Sequence, residues 1–321
     1  MPDLGVGGQA VIEGVMMRSK ERISTAVRIP SGEILVKSQE YFSLTKRLKI
    51  LAMPIIRGVI TFFEMLVIGI KTLNFSADIA VKEAEKGEAI AKGEEYVAEE
   101  KKASAFVLGV TVVIALAVGI LIFFFTPIAL STLLKVERDA VAFNLIAGAI
   151  RVILFIGYVW LISRFGEFKK VFQYHGAEHK SIFAYENGEE LSVENVSKYT
   201  TFHPRCGTSF ILIVALFAIL VYSVSDTIYA LVTGVAPTLL KRFAIHFSLL
   251  PLVAGGSYEL LKLSGKTRTN PITKILIQPG LWLQRITTSE PSEKQMEVAI
   301  VALESALGVT ESKLTVKKTC L

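Results

Sequence analysis

Three of the four histidines in this 321-residue chain, His175, His179 and His203, crowd into one short region together with Cys206, one of only two cysteines. Within Tyr174-His-Gly-Ala-Glu-His-Lys180 the spacing of His175 and His179 is four residues. On a helix that spacing puts both imidazoles on one face, one turn apart, as two ligands of a single metal ion require. Asn187-Gly188 supplies a C-cap signal, so the sequence predicts a helix through Tyr185. Glu178 stands beside the pair and could draw a proton from water at the metal or serve as a ligand. The order His-x-x-Glu-His also occurs in inverzincin proteases, although five residues alone are a weak pattern.

His203-Pro-Arg-Cys206 adds to the set. Pro204 biases His203 towards an extended backbone. Cys206 precedes a long apolar run, so it is placed near a helix N-terminus, where the dipole and Arg205 favour a thiolate. Imidazole and thiolate together suit zinc. Four ligands, His175, His179, His203 and Cys206, imply a closed structural site, whereas three plus water imply catalysis. Both arrangements fit the sequence, and so does the plainer reading of ordinary polar residues between apolar segments. Glu259 lies thirteen residues beyond His246, ~20 Å along a helix, at the end nearer the site. It is a candidate additional neighbour, while His246 and Asp226 fall towards the far end of their segments. Arg57 and Glu64, seven residues apart, read as two polar positions on one helix face.

The elements that must position these residues are unusually apolar. Hydrophobic residues make up 52% of the chain and its mean hydropathy is +0.51, which points to a polytopic membrane protein. Four segments, roughly Ala105–Leu134, Val141–Ser163, Gly207–Val232 and Phe243–Leu263, are each long enough to cross a hydrocarbon core of about 30 Å, and in lipid they must be helical. Lys and Arg concentrate before the first segment and between the second and third. The short connections hold only Lys135, Arg138, Lys241 and Arg242. The positive-inside rule then predicts an inner-membrane protein whose two termini and central loop, residues 164–206, face the cytoplasm. Residues 46–80 carry Pro54, Arg57 and Glu64 and are expected as an interfacial or re-entrant helix. Residues 81–104 read as a charged helix or hairpin broken at Gly87 and Gly93.

The two ends read as a small cytosolic α+β part. Residues 1–45 are β-rich: Ile23, Thr25, Val27 and Ile29 alternate with Ser24, Ala26 and Arg28, and Pro30–Glu33 is a turn. Gly7–Arg18 reads as a further strand with bends at Gly8 and Gly14, and Glu13 and Arg18 are its notable polar residues. In 264–321, Gln278–Arg285 reads as a turn leading into an amphipathic segment with Trp282 at an interface. Ser292 and Gln295 form a capping box before a helix with Met296, Ile300, Leu303 and Leu307 on one face. The first residues lack a signal-peptide pattern. Two distant cysteines suit reduced thiols rather than a disulfide framework. Acids outnumber bases in 82–102, which argues against nucleic acid as a partner.

Four separated stretches, Gly7–Arg18, His175–Lys180, His203-Pro-Arg-Cys-Gly-Thr-Ser209 and Pro279–Arg285, resemble the YqhQ-like family of bacterial membrane proteins. That family is a domain of unknown function described as a predicted metal-dependent enzyme. The resemblance implies metal binding around His175, Glu178, His179, His203 and Cys206, and names neither substrate nor reaction. The leading expectation is a membrane hydrolase that binds a divalent metal, Zn²⁺, and acts on a membrane-associated substrate, with Glu178 as general base. The rival is a non-catalytic membrane module whose metal ties loops together and whose cytosolic parts bind a protein partner. A transporter ranks below both, because the spans hold few charges.

Overall fold

The computed structural model describes residues 5–93, 105–135, 139–204, 206–266, 270–309 and 316–318. The N-terminal region forms four antiparallel strands in consecutive order, β1 (Gly7–Val11), β2 (Gly14–Arg18), β3 (Arg22–Arg28) and β4 (Ile34–Glu40). Gly7–Arg18 is therefore two strands, where one was expected. Val11 pairs with Gly14 across a two-residue turn. The second turn residue, Glu13, has φ +50°, a left-handed conformation that costs a non-glycine residue roughly 1–2 kcal/mol. A Cβ on Gly14 would lie 2.1 Å from the Ala26 carbonyl oxygen, so glycine is required where β2 crosses close to β3. The turn after β3 closes as the sequence predicts, with the Gly32 N–H donating to the Ile29 carbonyl.

The alternation along β3 does not divide a buried face from an exposed one. Ile23 and Val27 join Val11 and Met16 against Ile68, Phe75 and Ile79 of the helix α1 (Ile56–Lys92). The intervening Ser24 and Ala26 are also fully buried, because the opposite face is covered by a second layer of helices. Small residues there let a helix approach closely. α1 itself runs unbroken through Gly87 and ends at Gly93, which adopts φ +70° as a C-cap. Residues 56–92 thus form one 37-residue helix: of the expected charged helix or hairpin the helical form is present, with the break at Gly93 and none at Gly87, and residues 94–104 lie outside those described.

The apolar part follows. α2 (Ala105–Ile120) continues through a π-helical turn (Leu121–Phe125) into α3 (Thr126–Leu133), and α4 (Ala140–Ile162) runs beside it. The chain then forms α5 (Gly166–Glu186) and the short α6 (Val193–Ser197) before re-entering the apolar part as α7 (Gly207–Thr233). α8 (Leu239–Ser248) and α9 (Leu250–Lys266) meet at a 49° bend. Among the described residues three helices, Gly109–Leu133, Ala140–Ile162 and Ile213–Thr233, are long and apolar enough to cross a membrane, or four if the bent pair counts as one. The fourth predicted segment is therefore not straight. Phe124, Ile128, Phe143, Ala147, Ala218, Tyr222 and Val253 form the buried core of this bundle.

α10 (Pro271–Thr287) packs on α7, and α11 (Glu293–Leu307) packs on β2, β3 and α5. The expected turn at Gln278–Arg285 is helical, with Pro279 inside α10 and Trp282 exposed. α11 starts with the predicted capping box, Ser292 and Gln295 each bonding the other's backbone, and buries Met296, Ile300 and Leu303. A strand β5 (Val316–Lys318) pairs in parallel with β4. The chain's second core, built from Val15, Met17, Ala26, Tyr174, Ala177, Ile300 and Leu303 among others, lies between the sheet and helices α5 and α11. α5 is thus held on one side by the sheet and on the other by the α10–α11 connection.

Candidate metal centre

α5 ends where the sequence predicts. Gly188 has φ +73°, its N–H donates to the Tyr185 carbonyl, and the Glu189 N–H donates to the Ala184 carbonyl. Those are the two bonds of a Schellman cap. The helix therefore carries His175 and His179 on one face, their rings 4.4 Å apart. Between them Gly176 permits a close crossing: a Cβ there would lie 2.2 Å from the Ser289 carbonyl oxygen. The α10–α11 connection lies directly on the helix, fixed by the Ser289 N–H donating to the Phe172 carbonyl.

That crossing orients the first imidazole. His175 Nδ1 lies 2.7 Å from the Thr287 carbonyl oxygen. His179 Nδ1 bonds the Thr201 carbonyl in the same manner. A carbonyl can only accept, so each Nδ1 carries the proton and each Nε2 presents a lone pair, the arrangement that outer partners impose on metal-binding histidines. His175 Nε2 is 3.2 Å from the Cys206 sulfur. His179 Nε2 is buried towards the same thiol, without a hydrogen bond of ordinary geometry. Ligand atoms of His175, His179 and Cys206 all lie within 4.8 Å of one another. Burial lowers the pKa of His179 and keeps its ring neutral, as a metal ligand must be.

Cys206 is buried and directly precedes α7, and its N–H donates to the His203 carbonyl in a tight turn. The expected contribution of Arg205 lies outside the described residues. His203 is brought to the edge of the cluster rather than into it. Its ring is 5.6 Å from that of His179 and packs on Phe183, and its Nε2 is 3.6 Å from Glu186. Its backbone is gripped by one side chain. Gln284 accepts from the His203 N–H at 2.7 Å and donates to the His203 carbonyl at 2.9 Å.

Glu178, about 60° round α5 from His175, points into the first strand. A Cβ on Gly8 would lie 2.8 Å from its carboxyl carbon, and the Gly8 backbone N–H donates to the carboxylate. Burial pushes its pKa up to about 7, against the opposing pull of His175 and of the Gly8 bond. Glu259 is not a neighbour of the cluster. It forms a two-point ion pair with Arg57, whose Nε donates to Oε1 at 2.6 Å, and so ties α9 to α1. Arg57 accordingly pairs across helices, while Glu64 accepts from Tyr41 and Ser43. His246 and Asp226 lie apart from the cluster in a buried network in which Asp226 accepts from Arg242, His246 and Asn144.

The match of a family model to residues 53–309 covers most of the chain and includes every member of this cluster. The chain belongs to that family, described as a protein of unknown function, DUF1385. A curated relative, the uncharacterized protein YqhQ of Bacillus subtilis (strain 168), is 36% identical over 315 residues, which is 94% of this chain and 92% of the relative. No solved structure matches the chain. Family membership therefore agrees with the resemblance carried by the four motifs, and the chemistry has to be argued from the site itself.

Several groups in that site escape a reading of side-chain types. Thr201 and Thr287 act through their carbonyls, which any residue would supply. Glu186 carries no spacing signal relative to His203. Gln284 does lie in one of the four motif stretches, and its burial in the last turn of α10, a helix packed on α7, is what gives that stretch a structural task.

Proposed function

We propose that this protein is a membrane-embedded, metal-dependent hydrolase whose zinc site faces the cytoplasm. The observation that carries the reading is the convergence of one ligand atom each from His175, His179 and Cys206 within 4.8 Å, with both Nδ1 atoms committed to backbone carbonyls. The donor set fits zinc: two neutral imidazoles and one thiol, mostly buried, with outer partners in place. Three protein ligands leave one tetrahedral position for substrate or water, the pattern of catalytic rather than structural zinc. A zinc ion held there would supply Lewis acidity and activate water near neutral pH.

The chain's own residues supply the rest. Thr201 and Thr287 fix the imidazole tautomers, and Gln284 fixes the turn that carries Cys206. Glu178, one residue before a ligand and shielded from bulk water by Gly8, is the carboxyl group placed to hold or accept a proton. His203, 3.6 Å from Glu186 and beside His179, is a second imidazole at the same edge. Basic residues on the central loop and both ends support the cytoplasmic placement. A site held at the mouth of α7 suits a lipid-linked or membrane-peptide substrate.

A structural metal is the second reading, favoured by the depth of His179, 1% exposed, and by the way the ligands tie the 200–206 turn to α5. Metal analysis of purified protein decides the shared premise. We expect about one zinc per chain, lost in the double variant His175→Ala/His179→Ala. Equal metal in both proteins would end both readings. Glu178→Gln then separates them, screened against lipid-ester and membrane-peptide substrates. Retained zinc with lost hydrolysis supports the enzyme. Retained zinc in a wild type inert towards both substrate classes supports the structural role.

A further inference from the structure

Arg151 stands at the midpoint of α4 and is the only charged residue in that helix. Its Nε donates to the Phe123 carbonyl at 2.9 Å, and its guanidinium lies over the rings of Phe124 and Tyr222 at 5.5 and 6.0 Å. Among the described residues no carboxylate pairs with it, and its two terminal nitrogens have no acceptor. The bundle's acids are committed elsewhere, Asp226 to Arg242 and His246, Glu259 to Arg57. An arginine at mid-depth of an apolar helix is expensive and is kept where it faces a partner or a ligand.

What Arg151 faces is a cavity of about 400 Å³ between α2, α4, α7 and α9. Its walls include Ala115, Gly119, Ile211, Ala218, Tyr222 and Val253, so Arg151 is the charged residue in an otherwise apolar lining. Cavities of this size, with a few polar groups that fix orientation, are typical of small-molecule sites. The acceptor Phe123 lies in the π-helical turn, a geometry that often marks functional sites in helices.

We propose that this cavity binds a single-chain amphiphile with an anionic head, its tail along the apolar walls and its head on Arg151. A neutral lipid would leave the guanidinium uncompensated. In a second copy of the chain the bundle's carboxylate without a cationic partner, Asp139, caps the end of α4 and lies about twelve residues from the depth of Arg151. The proposal rests on the bilayer reading above but not on the metal.

The test uses full-length protein in phosphatidylcholine nanodiscs, after carbonate extraction of the source membranes has tested bilayer placement separately. The probe is a diazirine-bearing palmitate, with crosslinked peptides mapped by mass spectrometry. Saturable labelling is expected in peptides spanning Ala115–Phe124 and Ile211–Tyr222. Oleate and oleoyl lysophosphatidate should compete and oleyl alcohol should not. The stronger of the two anionic competitors identifies the head as carboxylate or phosphate. Arg151→Met should weaken labelling about tenfold or more, the worth of a hydrogen bond to a charged group. Gly119→Trp keeps Arg151 and fills the cavity, since a Cβ at Gly119 meets nothing within 4 Å. It should abolish labelling while zinc content stays at the wild-type level. Equal competition by oleyl alcohol, undiminished labelling in Arg151→Met, or capture of a partner polypeptide at these peptides in place of the probe would each overturn the proposal.

Discussion

Gly8 and Glu178 touch across the boundary between β1 and α5, so closely that a Cβ at position 8 would sit 2.8 Å from the Glu178 carboxyl carbon. The same Cβ would meet the Met16 carbonyl oxygen at 2.8 Å, so the strand cannot simply slide away from the helix. Gly8→Ala is therefore expected to cost about 1–3 kcal/mol through overpacking and to push the Glu178 carboxyl aside. Glu178 is not one of the three grouped ligands, His175, His179 and Cys206. Zinc content should remain at the wild-type level while the melting temperature and the hydrolytic activity fall. A Gly8→Ala protein with unchanged activity would remove Glu178 from the reaction.

Gly176 governs the metal more directly. The Ser289 carbonyl that would lie 2.2 Å from a Cβ at position 176 is backbone, and it cannot rotate away as a side chain would. Gly176→Ala must lift the α10–α11 connection off α5, and the Thr287 carbonyl that holds His175 Nδ1 lies two residues before Ser289. Losing an outer partner of a metal-binding histidine typically costs 10–100-fold in affinity, so a zinc titration against a competing chelator should show a shift of about that size. An unchanged zinc affinity in a folded Gly176→Ala protein would show that the carbonyl does not orient His175.

The parts of this arrangement that a reading of the sequence reaches are those encoded by side-chain type and local spacing. The i, i+4 histidines, the Asn187-Gly188 cap and the Ser292/Gln295 capping box each follow from interactions within one or two helical turns, and the structure forms all three features. The long apolar helices follow from composition. What escapes is set by tertiary contact. Ser24 and Ala26 look like a polar or neutral strand face until α11 is laid over them. Gly87 looks like a break, yet α1 continues through it. The 49° bend at Leu249 is an exception with a local signal: Pro251, second residue of α9, has no N–H to continue the ladder of α8 and suits the first turn of a new helix. His203 and Cys206 are equally scarce residues in one motif, but the grip of Gln284 on the backbone directs the His203 ring towards Glu186 and leaves the thiol beside His175.

The pairing of Arg57 with Glu259 makes a prediction opposite to a role for Glu259 at the metal. Both side chains are about a quarter exposed, and they join helices α1 and α9. Glu259→Gln should leave zinc content and hydrolysis unchanged while lowering stability by roughly 1–3 kcal/mol, since it weakens a bond between charged groups. The exchanged pair, Arg57→Glu with Glu259→Arg, should recover part of that loss in thermal unfolding. Zinc loss in Glu259→Gln without a change in melting temperature would restore Glu259 to the site and contradict the geometry.

Placement in the membrane can be tested with positions the structure shows to be accessible. His246 and Lys180 sit on opposite sides in the expected topology, yet both are buried, at 1% and 3% exposure, and would label poorly from either side. Val235, in the connection between α7 and α8, and Glu194, on α6, are exposed and lie beyond opposite ends of α7. In a Cys320→Ser background Cys206 is buried and should contribute little. A cysteine at Val235 should react with a membrane-impermeant maleimide on intact cells. A cysteine at Glu194 should react only after the cells are opened, because the basic central region is retained on the cytoplasmic side. Labelling at 194 but not 235 in intact cells would invert the protein and place the His175, His179 and Cys206 cluster outside, in contact with substrates of the other compartment.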